Sequence, residues 1–293
     1  MKLGVIGGTG VYEVDGIEDV VQEEIETPFG TPSDAFVCGE LEGHQVVFLP
    51  RHGRGHRLLP SEINHRANIY AMKTLGVERV LSVSAVGSLK EEHRPRDIVL
   101  VDQYFDRTKE SERHSFFGEG IVAHVSMAHP TCEYMRGVIA GSAGTVLAAM
   151  DDAPDTRVQN GGTYVNMQGP AFSTLAESET YRSRGFDVIG MTSLGEAKLC
   201  REAEICYQPM AMVTDYDCWH AEEGPVNVEM LLGHLHANAE LAKRVLRQII
   251  LDMSTESSCT CRDALGVAIL TQPEYMPAET KAKLKPIIGK YVD

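Results

Sequence analysis

The sequence predicts an α/β fold: a single domain with a central mixed, largely parallel twisted sheet flanked by helices. Short strand-like segments alternate with helix-period segments along the chain. Several of the short segments are near-continuous apolar runs, such as Val80-Leu81-Ser82-Val83 and Met210-Ala211-Met212-Val213, as expected of strands covered on both faces. No repeat, low-complexity tract or long linker breaks the 293 residues.

In chain order, the spacing predicts strands over 3–6, 35–39, 45–49, 79–84, 97–101, 162–167, 187–191 and 209–214. Helices are predicted over 62–75, capped by Ser61 and closed by Gly76, then over 133–150, 174–184, 195–202 and 228–251, with a final one over 279–288. The long helix carries Leu231, Leu235, Ala242, Val245 and Ile249 on one stripe, with Glu240, Lys243, Arg244 and Arg247 opposite. Ligands of such sheets bind beyond the carboxyl ends of the strands, so the loops after strands are where chemistry is expected.

Composition excludes several classes. Lys plus Arg total 27 against 42 Asp plus Glu, a formal net charge of −15, which argues against a nucleic-acid partner. No apolar run reaches the ~18 residues of a membrane span, and the first strand begins at once without a signal-peptide pattern, so the expected location is cytoplasmic. The seven cysteines are scattered and odd in number, unlike a secreted disulfide framework. The exception is Cys259-Thr260-Cys261. Free thiols are the first reading there, a disulfide the second and zinc the last, because the sequence places no matching Cys or His pair nearby. No metal and no cofactor is expected.

Four loops draw attention. Strand one runs into Gly7-Gly8-Thr9-Gly10, which suits an anion held by backbone N–H groups, or a plain turn. A dinucleotide fingerprint needs a third glycine, but position 13 is Glu, so an oxidoreductase is a distant alternative. Pro50-Arg51-His52-Gly53-Arg54-Gly55-His56-Arg57 follows another strand; its Arg and His suit phosphate oxygens. Ser84-Ala85-Val86-Gly87-Ser88 offers small residues and donors after a buried strand, or an ordinary turn. Finally, Asp215 and Asp217 end the run 209–214, two apart and beside the sole Trp219. A carboxyl against an apolar run with a second one near it acquires a raised pKa and serves as a general acid, unless the pair is simply a solvated turn.

Taken together these segments resemble the 5′-methylthioadenosine phosphorylases, of the trimeric branch of the purine nucleoside phosphorylase family. The motifs are Gly7-Gly8-Thr9-Gly10, Thr27-Pro28-Phe29-Gly30, Arg51-His52-Gly53-Arg54, Asn64-His65-Arg66-Ala67-Asn68, Gly169-Pro170-Ala171-Phe172-Ser173, Gly190-Met191-Thr192 and Thr214-Asp215-Tyr216-Asp217-Cys218-Trp219, in the family's order over about residues 3–252. The resemblance implies a phosphorylase-like fold with a divergent C-terminal segment from about 253. It implies a phosphate site of Thr9, Arg51, His52, Ser84, Ala85 and Thr192, with Met191 under the ribose. Phe172 and Ser173 would meet the base, and a neighbouring subunit would lend His124, in a homotrimer or dimer of trimers. It implies that Asp215, kept protonated, serves purine N7, while an ionised Asp217 accepts from the 6-amino group. The implied reaction uses inorganic phosphate as co-substrate to cleave 5′-methylthioadenosine. Adenosine or a 6-oxopurine nucleoside such as methylthioinosine is the alternative substrate, because Gln168 and Ala171 stand where relatives often carry Glu and Arg. Ser84 replaces a common Thr, and Gly195 a common Pro.

Overall fold

The structure, a computed structural model, describes all residues except 9, 11–14, 110, 152–154, 221–227, 255–258 and 293. The described strands are β1 (Lys2–Gly7), β2 (Glu18–Glu23), β3 (Phe36–Leu41), β4 (His44–Pro50), β5 (Arg79–Ser88), β6 (Ile98–Leu100), β7 (Gln103–Arg107), β8 (Val158–Asn160), β9 (Thr163–Met167), β10 (Val188–Gly190) and β11 (Cys206–Asp215). The helices are α1 (His65–Thr74), α2 (Glu133–Ala148), α3 (Leu175–Ser183), α4 (Ser193–Glu202), α5 (Val228–Asp252) and α6 (Ala278–Val292). Together they make a single α/β domain around one mixed sheet, as the alternation of elements predicted.

Along one path the strand order is β2-β3-β4-β1-β5-β10-β9-β7; β11 pairs with β5 and β6, and β8 pairs with β6. The branch point is β5. Register with β11 occupies one of its edges from Arg79 to Gly87. Two strands share the other edge. Parallel β1 ends its pairing at Ile6 opposite Ser82, and antiparallel β10 begins opposite Gly87 and Ser88. Residues 83–86 therefore face a gap on that edge, and the carboxyl ends of β1 and β10 point at each other across it.

Both faces of the sheet are covered, which is why β5 and β11 read as unbroken apolar runs. Met135 and Ile139 of α2 pack with Ala242, Val245 and Ile249 of α5 on one side. Ile69 and Met72 of α1, Leu199 of α4, and Leu284 and Ile288 of α6 form the core on the other. Each such side chain contributes about 1.5–3 kcal/mol relative to exposure.

Three expectations need correction. The strands β2, β7 and β8 were not predicted, and all three lie at sheet edges; β2 is exposed along its whole length, so no buried face imposes a pattern on it. The first helix does not start at Ser61. Pro60–Glu62 forms a 3-10 turn, Ile63 is extended, and Asn64 is the cap, its side chain accepting from Ala67 N–H at 3.1 Å. Nor is Cys259-Thr260-Cys261 remote from other cysteines. Cys132, just before α2, and Cys206, opening β11, lie beside it.

Candidate active site

The gap beside β5 is lined from both ends of the neighbouring strands. Ser84 is buried, and its hydroxyl has no partner among the described residues. Ala85 is exposed although every other residue of β5 is buried. An exposed residue in the middle of a central strand marks a cavity that opens onto the sheet. Backbone groups of a strand alternate between its edges. Arg51 Nη1 donates to Val83 O at 3.1 Å from the gap side, so the N–H of Ala85, two residues on, faces the same gap.

Arg51 follows β4 and is fixed by its N–H to Gly7 O, at 2.9 Å. It is not a solvated arginine: it is 2 % exposed. Its Nε donates to Glu196 Oε1 at 2.5 Å, and its Nη2 to Glu196 Oε2 at 3.3 Å and to Ser82 Oγ at 2.6 Å. Glu196 Oε2 also accepts from Ser82 Oγ at 2.6 Å and Tyr207 OH at 2.9 Å. Burial alone would raise the Glu196 carboxyl; the Arg51 guanidinium outweighs it and holds the group below its ordinary value. Most of the Arg51 donors are thus committed, and one Nη1 N–H remains to face an anion.

His52, next in the chain, donates Nδ1–H to Leu58 O at 2.9 Å. Burial and the Arg51 charge lower its pKa to about 4. At neutral pH the ring is uncharged, with Nε2 as an acceptor. Across the gap, β10 delivers Met191 and then Thr192, the buried residue just before α4, whose side chain makes no cap bond. Gly169 admits Met191: with φ +67°, a Cβ there would stand 2.4 Å from the Met191 sulfur.

The carboxylates sit at the end of β11, one strand away. Asp215 accepts on both oxygens, from Thr214 Oγ1 at 2.7 Å and from Asp217 N–H at 2.8 Å. Asp217 is 5 % exposed, and burial raises its pKa against the hydroxyls of Ser178 and Ser173 and the Cys218 N–H. Burial therefore biases Asp217, the desolvated member of the pair, toward its neutral form in the free protein. Gly87 makes room for the pair: a Cβ there would lie 3.0 Å from Asp215 Oδ1 and 3.3 Å from Asp217 Cα. Trp219 braces the turn, donating Nε1–H to Ser88 O at 2.8 Å under the Arg182 guanidinium. Cys218 Sγ donates to Ser173 O, bringing the segment after β9 to the carboxylates. There Phe172 is 55 % exposed, an apolar ring facing solvent.

The Phosphorylase superfamily profile matches residues 2–251. The chain belongs to this superfamily. The S-methyl-5′-thioadenosine phosphorylase of Gloeobacter violaceus is 55% identical over 291 residues, covering 99% of this chain and 96% of the relative. That of Geobacter sulfurreducens is 52% identical over 290 residues, covering 99% of each. Among solved structures, a methylthioadenosine phosphorylase from an antarctic soil metagenomic library superposes with a TM-score of 0.90 at 46% identity, covering 97% of this chain and 98% of that one. Methylthioadenosine phosphorylase from Schistosoma mansoni, in complex with adenine, gives 0.81 at 36% identity, covering 88% and 93%. The relatives' match runs through the C-terminal segment beyond 253, where the superfamily profile has ended.

Two expected site residues of this superfamily member lie apart from the gap or beyond description. Thr9 lies outside the described residues. His124 is exposed on a segment whose backbone bonds to Ala268 O at 2.9 Å, among the exposed apolar residues Val122, Val267 and Leu270. Gln168 accepts from Lys109 N–H at 3.0 Å, Ala171 is exposed, and Gly195 leaves space for His65 and His114, which a Cβ would approach to 3.1 and 2.9 Å. Sequence reasoning missed Glu196, Ser82 and Tyr207. A signal for Glu196 was present: it shares a helix face with Leu199, Cys200 and Ala203, all apolar and buried.

Proposed function

We propose that the protein catalyses phosphate-dependent cleavage of the N-glycosidic bond of 5′-methylthioadenosine, giving adenine and 5-methylthioribose 1-phosphate. The observation that carries this reading is the gap beside β5, with the Ser84 hydroxyl unpartnered among the described residues, exposed Ala85 and the Arg51 guanidinium at its floor and two carboxyls at its end. Phosphate in the gap takes donors from Ser84, the Ala85 N–H, Thr192, Thr9 and the remaining Arg51 N–H, and a hydroxyl of the phosphate donates to His52 Nε2. Bond cleavage develops oxocarbenium charge at C1′, which the anion beneath the ribose stabilises and then captures. Met191 lies under the sugar and Phe172 with Ser173 along the base. Asp217, the carboxyl that burial biases toward its neutral form, supplies the proton that makes adenine a leaving group. Asp215, an acceptor on both oxygens, takes a bond from the 6-amino group and disfavours a 6-oxo base. No cofactor and no metal takes part in these steps.

We further infer a cytoplasmic homotrimer or dimer of trimers. The exposed apolar residues around His124 support this, since a neighbour covering them would bring that imidazole to its own site. Light scattering reads the assembly directly. Among the described residues no helix is long and apolar enough to cross a membrane.

The deciding assay is base release from methylthioadenosine, adenosine, methylthioinosine and inosine, with and without phosphate. Release only with phosphate, fastest from methylthioadenosine, is expected. Release without phosphate would make the protein a hydrolase, and preference for inosine would overturn the roles given to the two carboxyls.

A further inference from the structure

At the amino end of β11, far from the chemistry, four cysteines from three chain segments converge. Cys132 precedes α2, Cys206 opens β11, and Cys259 and Cys261 lie on the segment after α5. Their sulfurs all lie within 4.8 Å of one another. Cys132, Cys206 and Cys261 are buried and Cys259 is half-buried. We propose that these four side chains hold one structural zinc ion.

The geometry argues for an ion rather than for pairs. A disulfide brings sulfurs together two by two and gives no reason for a second pair to crowd the first. A tetrahedral centre with zinc–sulfur bonds of about 2.3 Å sets every sulfur pair about 3.8 Å apart. The cluster spans that distance: Cys206 Sγ and Cys259 Sγ are 3.2 Å apart, and no pair exceeds 4.8 Å. Soft thiolates with no carboxylate or imidazole among them select zinc over hard cations.

Cys132 stands at the positive end of α2. Zinc binding releases the thiol protons to solvent, oxidises nothing, and leaves the filled site doubly negative. Arg79, the register partner of Cys206 on β5, is a buried cation beside that charge, and its Nη1 donates to Ser254 O at 2.7 Å on the same segment as Cys259. Filled, the site staples the segment that follows α5 to the sheet. That segment carries the bridge from Ile269 to Ala123, next to His124, and leads to α6. Asp215 is the other end of the ten-residue β11, about 30 Å away at ~3.3 Å per residue, so the site stands independently of the reaction.

The test is metal content of protein purified under reducing conditions from zinc-supplemented cells, beside Cys261→Ser and Cys38→Ser. The expected result is one zinc per chain in the wild type and in Cys38→Ser, and about a tenth of that or less in Cys261→Ser. If Cys261→Ser does not fold, chelator-treated wild type is titrated with cobalt(II) under reductant. The intense red-region bands of tetrahedral thiolate-bound cobalt should saturate at one equivalent. A metal-free wild type with only the pale spectrum of hydrated cobalt overturns the proposal, as does a peptide map that finds Cys132–Cys206 or Cys259–Cys261 disulfides in protein never exposed to oxidant.

Discussion

Replacing Glu196 with Gln separates what Arg51 does for the fold from what it does for phosphate. In the native site the carboxylate accepts from four donors: two Arg51 nitrogens, the Ser82 hydroxyl and the Tyr207 phenol. An amide accepts on one atom only, so its NH2 must face one or more of those donors, and the guanidinium, 2 % exposed, loses its counter-charge. Breaking one partner of a buried pair costs about 3–5 kcal/mol. For a chain of 293 residues, at about 2.1 cal/mol/K per residue, this lowers Tm by roughly 5–8 °C. An anion that reaches the guanidinium should then recover part of the loss. The rise in Tm on adding saturating phosphate should therefore be larger in Glu196→Gln than in the wild type, through ordinary ligand linkage. Thermal and urea unfolding with and without phosphate read both quantities. A variant as stable as the wild type would mean that the ion pair is idle. An equal or smaller phosphate response would remove Arg51 from the phosphate site.

Ser84→Ala deletes a hydroxyl that has no partner among the described residues. Stability should hold or rise slightly while the phosphate KM rises about tenfold, the equivalent of ~1.4 kcal/mol; a fall in stability with unchanged KM would contradict this. Gly87→Ala places a methyl 3.0 Å from Asp215 Oδ1 and 3.2 Å from Ile189 Cγ2. Overpacking of about 1–3 kcal/mol at that point should lower kcat/KM for the nucleoside roughly 10- to 100-fold and spare the phosphate KM. The pH dependence of stability contains two opposed slopes. Burial lowers His65 to about 4, so below its ordinary 6.5 the unfolded chain takes a proton that the native one refuses, and acid removes stability. Burial raises Glu202 from 4.5 to about 7, so acid adds stability over that span. Each is worth about 2 kcal/mol between pH 7 and pH 5. Relative to the wild type, urea unfolding should show Glu202→Gln losing that much more on acidification and His65→Gln that much less; unchanged slopes in either would refute the assignment.

The fold was legible where burial is two-sided. Strands β5 and β11 and helices α2 and α5 announce themselves because packing dictates nearly every position. The edge strands β2, β7 and β8 escaped because hydrogen bonding to one neighbour holds them and no periodic apolar face is required. The residues lining the gap were legible as residue types at strand ends, since β1, β4 and β10 each finish at or near it while β5 runs past it. What sequence could not give is the head-to-head meeting of β1 and β10 on one edge of β5, which is a property of pairing and not of any one segment. The cysteine cluster escaped for the same reason: residues 132, 206 and 259–261 become neighbours only through the sheet.

The carboxylates mark the sharper limit. Spacing two apart at the end of a buried run identifies Asp215 and Asp217 as a pair, but their division of labour depends on which one the fold desolvates. Asp217, at φ +52°, turns inward toward Ser173 and Ser178, while its own N–H is spent on Asp215. One hydrogen bond therefore couples the two: the backbone turn that buries Asp217 also delivers a donor to Asp215. If that coupling sets the roles, Asp217→Asn removes the proton donor and flattens the basic limb of the kcat profile. Asp215→Asn should instead weaken discrimination between 6-amino and 6-oxo nucleosides, leaving the limb in place. The opposite pattern would return the acid role to Asp215.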